Sequence, residues 1–523
     1  MRDIKVNWLL DLRSRKDLKL ARIAIYSALI SALLAYYYLI ILGNGNPDAL
    51  CEGLISYTGA DWALACGRWA IRYMNMASGD VILPGIWVIL YAICCGISGW
   101  QLIRLWKIDG KVEACLTACL LTVNPTVIEQ SLLQYMFMAW GLSNVLCVLF
   151  VYLNGSDSGW MRQYFLAPCC LAVALGLYQA CIGIVSLGFC MTLIIRMREQ
   201  MNWKSAFRCV LRFALSAILG VLLYFIILRL EFRRWGVDES YRVELFSVEG
   251  ILSSLGESFP NAYRTFFQYF SDHVFHRVYL YVLLAVAGCA AFLIEIAHLF
   301  KNRRIVEALA MLTLTLLIPV FANIADIVFP YNTPVLIMQY QSMLVVPFLL
   351  ALLTGNGEKA GSLRLGRIVC LLALSIITWG YVVSANATYR VYDLSYRHIY
   401  FAVSSAMGDV YDLPGYQTDE VVAFAGFPDD SYLRKNVGAY RYAYGQYENF
   451  AFWDGMMGLQ ICRNNYLTHY LGIDGGHIYG KLYNDAVASD EFREMNVWPG
   501  ENSVKRFDGL IIIKFSENPT IFG

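Results

Sequence analysis

About eleven apolar runs constrain this chain more than any other feature of it. They cover residues 21–42, 81–105, 113–127, 136–153, 165–177, 179–195, 206–228, 278–300, 306–328, 335–353 and 367–383. A hydrocarbon core of ~30 Å takes about 20 helical residues at ~1.5 Å each, and a backbone inside it satisfies its own hydrogen bonds only as a helix or a closed barrel. Runs of this length predict transmembrane helices. Composition agrees: 58% of the 523 residues are hydrophobic and 15% charged, far too apolar a balance for a soluble domain of this size. The formal net charge of +1 leaves no surplus of Lys and Arg for tracking phosphates, so the lipid bilayer is the expected partner and nucleic acid is not. A membrane enzyme or a transporter is left.

Basic residues set the sidedness. Residues 1–22 form a basic amphipathic segment, with Arg2, Lys5, Arg13, Arg15, Lys16, Lys19 and Arg22 against Asp3, Asp11 and Asp17, which the positive-inside rule puts on the cytoplasmic side. Further clusters recur in every second loop: Arg104, Lys107 and Lys111; Arg162; Arg196, Arg198, Lys204, Arg208 and Arg212; Lys301, Arg303 and Arg304; Lys359, Arg364 and Arg367. That alternation holds only if the stretch 165–195 is two short helices turning near Tyr178 and Gln179. The transmembrane domain then spans 23–385, the loops 43–80 and 231–277 face outward, and 386–523 is an extracytoplasmic C-terminal domain. From Asn386 on, seventeen Asp and Glu stand against eleven Lys and Arg, a balance foreign to a cytoplasmic flank. Within the tail, 421–427 and 510–515 read as buried strands and 386–407 as a helix leading from the membrane. The fold class expected is an all-α polytopic membrane protein of about eleven transmembrane helices with a small α/β extracytoplasmic C-terminal domain. Most of the fifteen cysteines lie in apolar runs, where Cys acts as a small hydrophobe; for Cys51 and Cys66, in the first outer loop, a bridge and two thiols are both open.

That loop carries the densest polar chemistry near the membrane: Asp48, Glu52, Asp61 and Arg68, with Trp62 and Trp69 beside them. A carboxylate partly shielded at a membrane surface can be tuned to take a proton from an attacking hydroxyl, and an arginine fork suits a phosphate. Ordinary turn chemistry after Pro47, a solvated Glu52 and a headgroup-level arginine account for the same residues. Glu129, Gln130, Gln134 and Tyr135 fill the second outer loop, and Tyr178-Gln179 the third. An amide there is costly in lipid unless it lines a cavity. Residues 251–270 place Phe259, Tyr263, Phe266, Phe267 and Phe270 at helical spacing, with Arg264 among them, as in a helix lying in the interface. Asp272, His273 and His276 are close-set with no second His-rich stretch, so no metal and no cofactor is expected. HExxH, P-loop, GxSxG and CxxC patterns are missing, which leaves zinc protease, NTPase and serine hydrolase chemistry without support.

The acidic position at Pro47-Asp48, the ADWALACGRW segment Ala60 to Trp69, Tyr178-Gln179, Asn261-Ala262-Tyr263-Arg264, and the ending from Trp498-Pro499-Gly500 through Phe507-Asp508-Gly509 to Ile511-Ile512-Ile513 resemble the bacterial serotype-converting (Gtr-type) glucosyltransferases of the GT-C superfamily. The resemblance implies a hexosyltransferase taking glucose from a polyprenyl-phosphate-sugar donor to a surface glycan acceptor, such as O-antigen, at the outer face of the cell membrane. It implies Asp48 as general base, with Glu52 or Asp61 standing in for the second Asp that relatives carry at position 47, and Arg68 near the donor phosphate. Trp69, Asp61, Tyr178, Gln179, Tyr263 and Arg264 are the further donor-binding candidates. Met338-Gln339-Tyr340-Gln341 lacks the Arg that the family pattern puts at the start of the tenth helix. A lipid-sugar flippase or transporter predicts ionisable groups deep in helices and matching halves, whereas the charges here stand in loops and at helix ends, Asp326 being the nearest exception. A surface-glycan ligase of the same superfamily would differ in donor alone.

Overall fold

A computed structural model of the chain describes residues 15–43, 56–156, 159–199, 201–238, 248–272, 278–328, 335–354, 360–426, 428–429, 435–441, 443, 465–472 and 480–519. Asp48, Cys51, Glu52, His273, His276 and the side chain of Asp272 lie outside the described residues, as do 1–14 of the basic N-terminal segment. The chain is mostly helical. In order it forms α1 (Arg15–Leu42), α2 (Ala60–Ala65), α3 (Trp69–Met76), α4 (Pro84–Leu105), α5 (Lys111–Thr122), α6 (Pro125–Ser131), α7 (Gln134–Gly155), α8 (Ala167–Leu177), α9 (Ile182–Arg198), α10 (Trp203–Trp235), α11 (Val248–Asp272), α12 (Val278–Lys301), α13 (Ile305–Leu316), α14 (Ile318–Ala322), α15 (Ile324–Val328), α16 (Val345–Thr354) and α17 (Ala360–Tyr411).

Among the described residues, seven helices are long and apolar enough to cross a membrane, and the bent pair α5–α6 makes an eighth if counted as one span. The protein is therefore a multi-pass membrane protein, with fewer uninterrupted spans than the apolar runs suggested. The run 165–177 begins in a π-helical turn and is short; 306–328 is cut into α13, α14 and α15; 335–353 opens as two 3-10 turns. Local chemistry explains the cuts. Pro319, at the start of α14, has no N–H to continue the ladder of α13. At the α5–α6 bend of 43°, Pro125 starts α6 and the Asn124 side chain caps it, accepting from the Val127 N–H at 3.2 Å.

Small residues let the helices approach closely, as lipid-embedded packing requires. Ala24, Ala28, Ala32 and Ala35 form the buried face of α1, which lies along α4 and α5. A Cβ at Gly96 of α4 would fall 2.7 Å from the Ile25 Cα. The opposite face of α1, with Tyr26, Ile30, Leu33 and Tyr37, is exposed where lipid would cover it.

Contacts between loops sort the helix ends into two sets. Lys16 Nζ reaches Asp109 at 2.7 Å, Lys107 Nζ reaches Glu199 at 2.5 Å, and Arg304 donates to the Met201 carbonyl at 2.7 Å. Arg198 meets Glu295 at 3.3 Å and donates to the Ala351 carbonyl at 3.0 Å, while Arg367 Nε donates to the buried Glu113 at 2.6 Å. The successive basic loops thus form one belt. Tyr178 packs edge-on to Trp140 near the start of α7, whereas Thr192, further along α9, accepts from Trp106 Nε1 at 3.1 Å beside the belt. The stretch 165–195 accordingly turns back at Tyr178, whose extended backbone separates α8 from α9.

At 52 residues, α17 is ~78 Å long at ~1.5 Å per residue and runs far past any bilayer. It merges the last apolar run with the helix expected at 386–407. Beyond it, β1 (Val422–Ala425) pairs parallel with β3 (Leu510–Lys514), which pairs antiparallel with β2 (Val504–Phe507), in the order β1-β3-β2. Phe427, the end of the first expected strand, lies outside the described residues. The sheet is tied to α17 by Trp498 Nε1, which donates to Asp409 at 3.1 Å.

This arrangement places Asp109 and Asp490, both exposed, at opposite ends of the molecule. In a background with Cys51, Cys289 and Cys462 replaced by Ser, Asp109→Cys and Asp490→Cys should be labelled by a membrane-impermeant thiol reagent from opposite sides of sealed vesicles. Labelling of both from one side contradicts the helix order described here.

Candidate active site

The site is built outward from the turn between α2 and α3. Gly67 takes φ 80°, a conformation that favours glycine, and Arg68 follows as the residue opening α3. Two backbone carbonyls of this turn are held from outside: Gln179 Nε2 donates to the Cys66 carbonyl at 2.8 Å, and the Tyr224 hydroxyl donates to the Gly67 carbonyl at 3.1 Å. Gln179 also donates to the Tyr224 oxygen at 3.2 Å. Trp69 then lies flat against α8, where a Cβ at Gly176 would sit 2.3 Å from the indole. Arg68, half-buried, stands 5.3 Å over the Tyr178 ring and donates to Met136 Sδ at 3.5 Å, while its Nε is buried without a hydrogen-bond partner. A guanidinium with an unsatisfied N–H beside aromatic walls is suited to an anion. Arg68, Trp69, Tyr178 and Gln179, separated by over 100 positions, form one cluster.

The first turn of α7 gathers residues from the end of α1 and from the approach to α2 and α3. Gln134 Nε2 donates to the Gly43 carbonyl at 2.9 Å, Tyr135 stacks on Tyr57 with centroids 5.6 Å apart, and Met136 contacts Arg68. Gly43, Tyr57 and Arg68 therefore meet at one helical turn.

Asp61 takes another place. It pairs with Arg72, whose guanidinium lies 3.9 Å over the Trp235 ring. In the same group Tyr73 donates to Glu231 at 2.7 Å, Trp235 Nε1 donates to Glu231 at 2.9 Å, and Arg234 donates to the Tyr73 oxygen at 3.2 Å. Partial burial of the phenol, then its hydrogen bond to the Glu231 carboxylate, holds Tyr73 above the usual tyrosine range. This cluster fastens α2 and α3 to the end of α10. Arg72 stands one helical turn from Arg68 in the sequence, but nothing there marks Trp235 as its companion.

Tyr263 and Arg264 line a second wall. The Tyr263 hydroxyl donates to the Leu316 carbonyl at 2.6 Å, Asn323 donates to the Ala262 carbonyl at 2.8 Å, and Arg264 is exposed. The two walls meet at the start of α9, where Gly183 abuts the Ala322 carbonyl and Gln341. Packed against α7, the 336–338 turn and α17 is a polar layer that the sequence presented as a loop: α6 is wholly buried, Glu129 and Gln130 each 1% exposed. Gln130 donates to the Ile337 carbonyl at 2.8 Å, and Ser131 shares a hydrogen bond with Tyr389. Thr126 Oγ1, Gln130 Oε1, Gln339 Oε1, Ser342 Oγ and Asp326 Oδ2 are buried without a hydrogen-bond partner. Ser342 and Tyr389 carried no local signal in the sequence, and Gln339 stood out there only within the segment that lacks the family's arginine.

A bundle with several apolar helices long enough to cross a membrane, with Arg68 among aromatic side chains at one end and buried amides and hydroxyls within it, defines a multi-pass membrane protein. The profile of the family described as Glucosyl transferase GtrII matches residues 52–352, more than half of the chain, and the protein belongs to that family. No curated protein and no solved structure matches it. The matched segment holds Arg68, Gln179, Tyr263 and the α6 layer and stops within α16; Asp48 lies just ahead of it and the sheet beyond it.

Gly176→Ala should push Trp69 from its seat and destabilise the bundle by about 1–3 kcal/mol, read as a lowered thermal midpoint in detergent. Gly159→Ala, with no heavy atom within 4 Å of the new Cβ, should leave the midpoint unchanged.

Proposed function

We propose that this glucosyl transferase moves a hexose, glucose, from a polyprenyl-phosphate-linked donor to a hydroxyl of a surface glycan at the outer face of the cell membrane, with inversion. The reading assigns the basic belt to the cytoplasm by the positive-inside rule, which puts the Arg68 cluster and residues 386–523 outside, the latter as an acceptor-binding domain above the transmembrane domain 23–385. The broken segments at 162–177, 305–328 and 335–353 complete about eleven crossings, irregular backbone being tolerated at membrane depth where it is buried in protein.

One observation carries the proposal: Gly43, Tyr57 and Arg68 converge on a single helical turn of α7. Asp48 is five residues from Gly43, a span of at most ~18 Å at ~3.6 Å per residue, a tether long enough to let its carboxylate meet an anion held by Arg68. In the step proposed, Asp48 takes the acceptor hydroxyl proton as that oxygen attacks the anomeric carbon. The bond from this carbon to the phosphate oxygen breaks, and polyprenyl phosphate leaves with the electron pair, its growing charge met by the Arg68 guanidinium. Tyr178 and Gln179 keep Arg68 in place, and Tyr263 and Arg264 line the path of the lipid. Glu52 is the second candidate base. Asp61 is assigned to bracing α2 through Arg72 instead of proton transfer. No metal or cofactor enters this scheme.

Membranes containing the protein should transfer labelled glucose from polyprenyl-phosphate-glucose to the glycan acceptor. Asp48→Asn should lower turnover by roughly 10²- to 10⁴-fold, Arg68→Ala by roughly 10²- to 10³-fold, and Asp61→Asn far less. Undiminished turnover in Asp48→Asn overturns the base assignment. Movement of the intact lipid-sugar across the bilayer without transfer would establish a flippase.

A further inference from the structure

A second concentration of charge lies at the basic end of the bundle, away from Arg68. Where α9 passes into α10, a cavity of about 760 Å³ is lined by Arg196, Arg208 and Arg212. Arg208 and Arg212 are one turn apart and exposed on α10, and Arg208 donates to the Ser205 hydroxyl, also in the lining, at 3.4 Å. The lining holds one carboxylate, Glu199, which is engaged from outside by Lys107 at 2.5 Å. The cavity is therefore cationic.

Its rim is apolar along the exposed face of α10. Leu211, set between the two arginines, belongs to an exposed stripe that runs from Phe207 through Leu215, Ile218, Leu222 and Ile226. Three guanidinium groups at the foot of a lipid-facing stripe match an amphiphile with an anionic head: forked donors suit phosphate oxygens, and the stripe suits acyl chains. A soluble anion would use only the first feature, and a zwitterionic lipid would bring its own cation against the arginines.

We infer that this cavity is a binding site for an anionic glycerophospholipid, its phosphodiester held by Arg196, Arg208 and Arg212 and its chains lying on the Leu211–Ile226 face. The lipid braces the joint between the two elements whose far ends supply Gln179 and Tyr224 to the α2–α3 turn. The site is separate from the proposed transferase centre, and either assignment can fail alone.

The test is native mass spectrometry of the full-length protein released from nanodiscs of phosphatidylglycerol or phosphatidylcholine, with thermal midpoints measured in both. Selective retention of phosphatidylglycerol is expected. The double variant Arg208→Gln, Arg212→Gln should weaken it by roughly 30-fold, about fivefold for each arginine at a membrane surface, with an unchanged midpoint in phosphatidylcholine as the check on folding. If the double variant does not fold, Arg212→Gln alone should show the fivefold loss. Equal retention of the two lipids, retention unaffected by the substitutions, or equal stabilisation by inorganic phosphate would each overturn the inference.

Discussion

Charge has to be kept out of hydrocarbon or neutralised within it, and the two ends of this bundle meet that demand in different ways. At the basic end, cations from one loop are matched by carboxylates or carbonyls from another: Lys16 with Asp109, Lys107 with Glu199, Arg367 with Glu113, Arg304 with the Met201 carbonyl. The belt sets the register of the helices. It fixes which ends are neighbours, and so which loops gather at the far end.

At that far end, polar groups are positioned instead of cancelled. Gln179 and Tyr224 hold the carbonyls of Cys66 and Gly67, and the turn they hold presents Arg68. The arginine is screened by Tyr178 and Met136 yet keeps a buried N–H without a partner. Beside it runs the α6 layer, whose unsatisfied oxygens are costly to hold in an apolar bundle unless a ligand meets them. The GtrII family match covers this whole region.

Much of this was legible in the residues. Apolar length located the long helices, the alternation of basic loops forced a reversal at Tyr178, and the strands of the tail were visible as β-branched runs that became Val422–Ala425 and Leu510–Lys514. Arg68, Trp69, Tyr178 and Gln179 stood out as polar or aromatic residues at loop positions and came together. Asp61 did not join them, because the nearest cation to it was Arg72 and helical geometry turned both toward Trp235. The expected loop around Glu129 and Gln130 became a buried helix. Local sequence shows that such residues are polar, but only the neighbours packed around them make a polar helix tolerable inside the bundle.

From sequence alone came the solvent, the long apolar spans and the alternation of basic loops, since each depends on hydropathy and charge summed over a local stretch. Tertiary structure decided which spans are whole and which are broken, which carboxylate pairs with which arginine, and which carbonyls of the α2–α3 turn are held. Those outcomes depend on contacts between residues more than 100 positions apart, such as Gln179 with Cys66 and Tyr224 with Gly67. A backbone carbonyl has the same chemistry in every residue, so nothing in the chain marks the two that the fold selects.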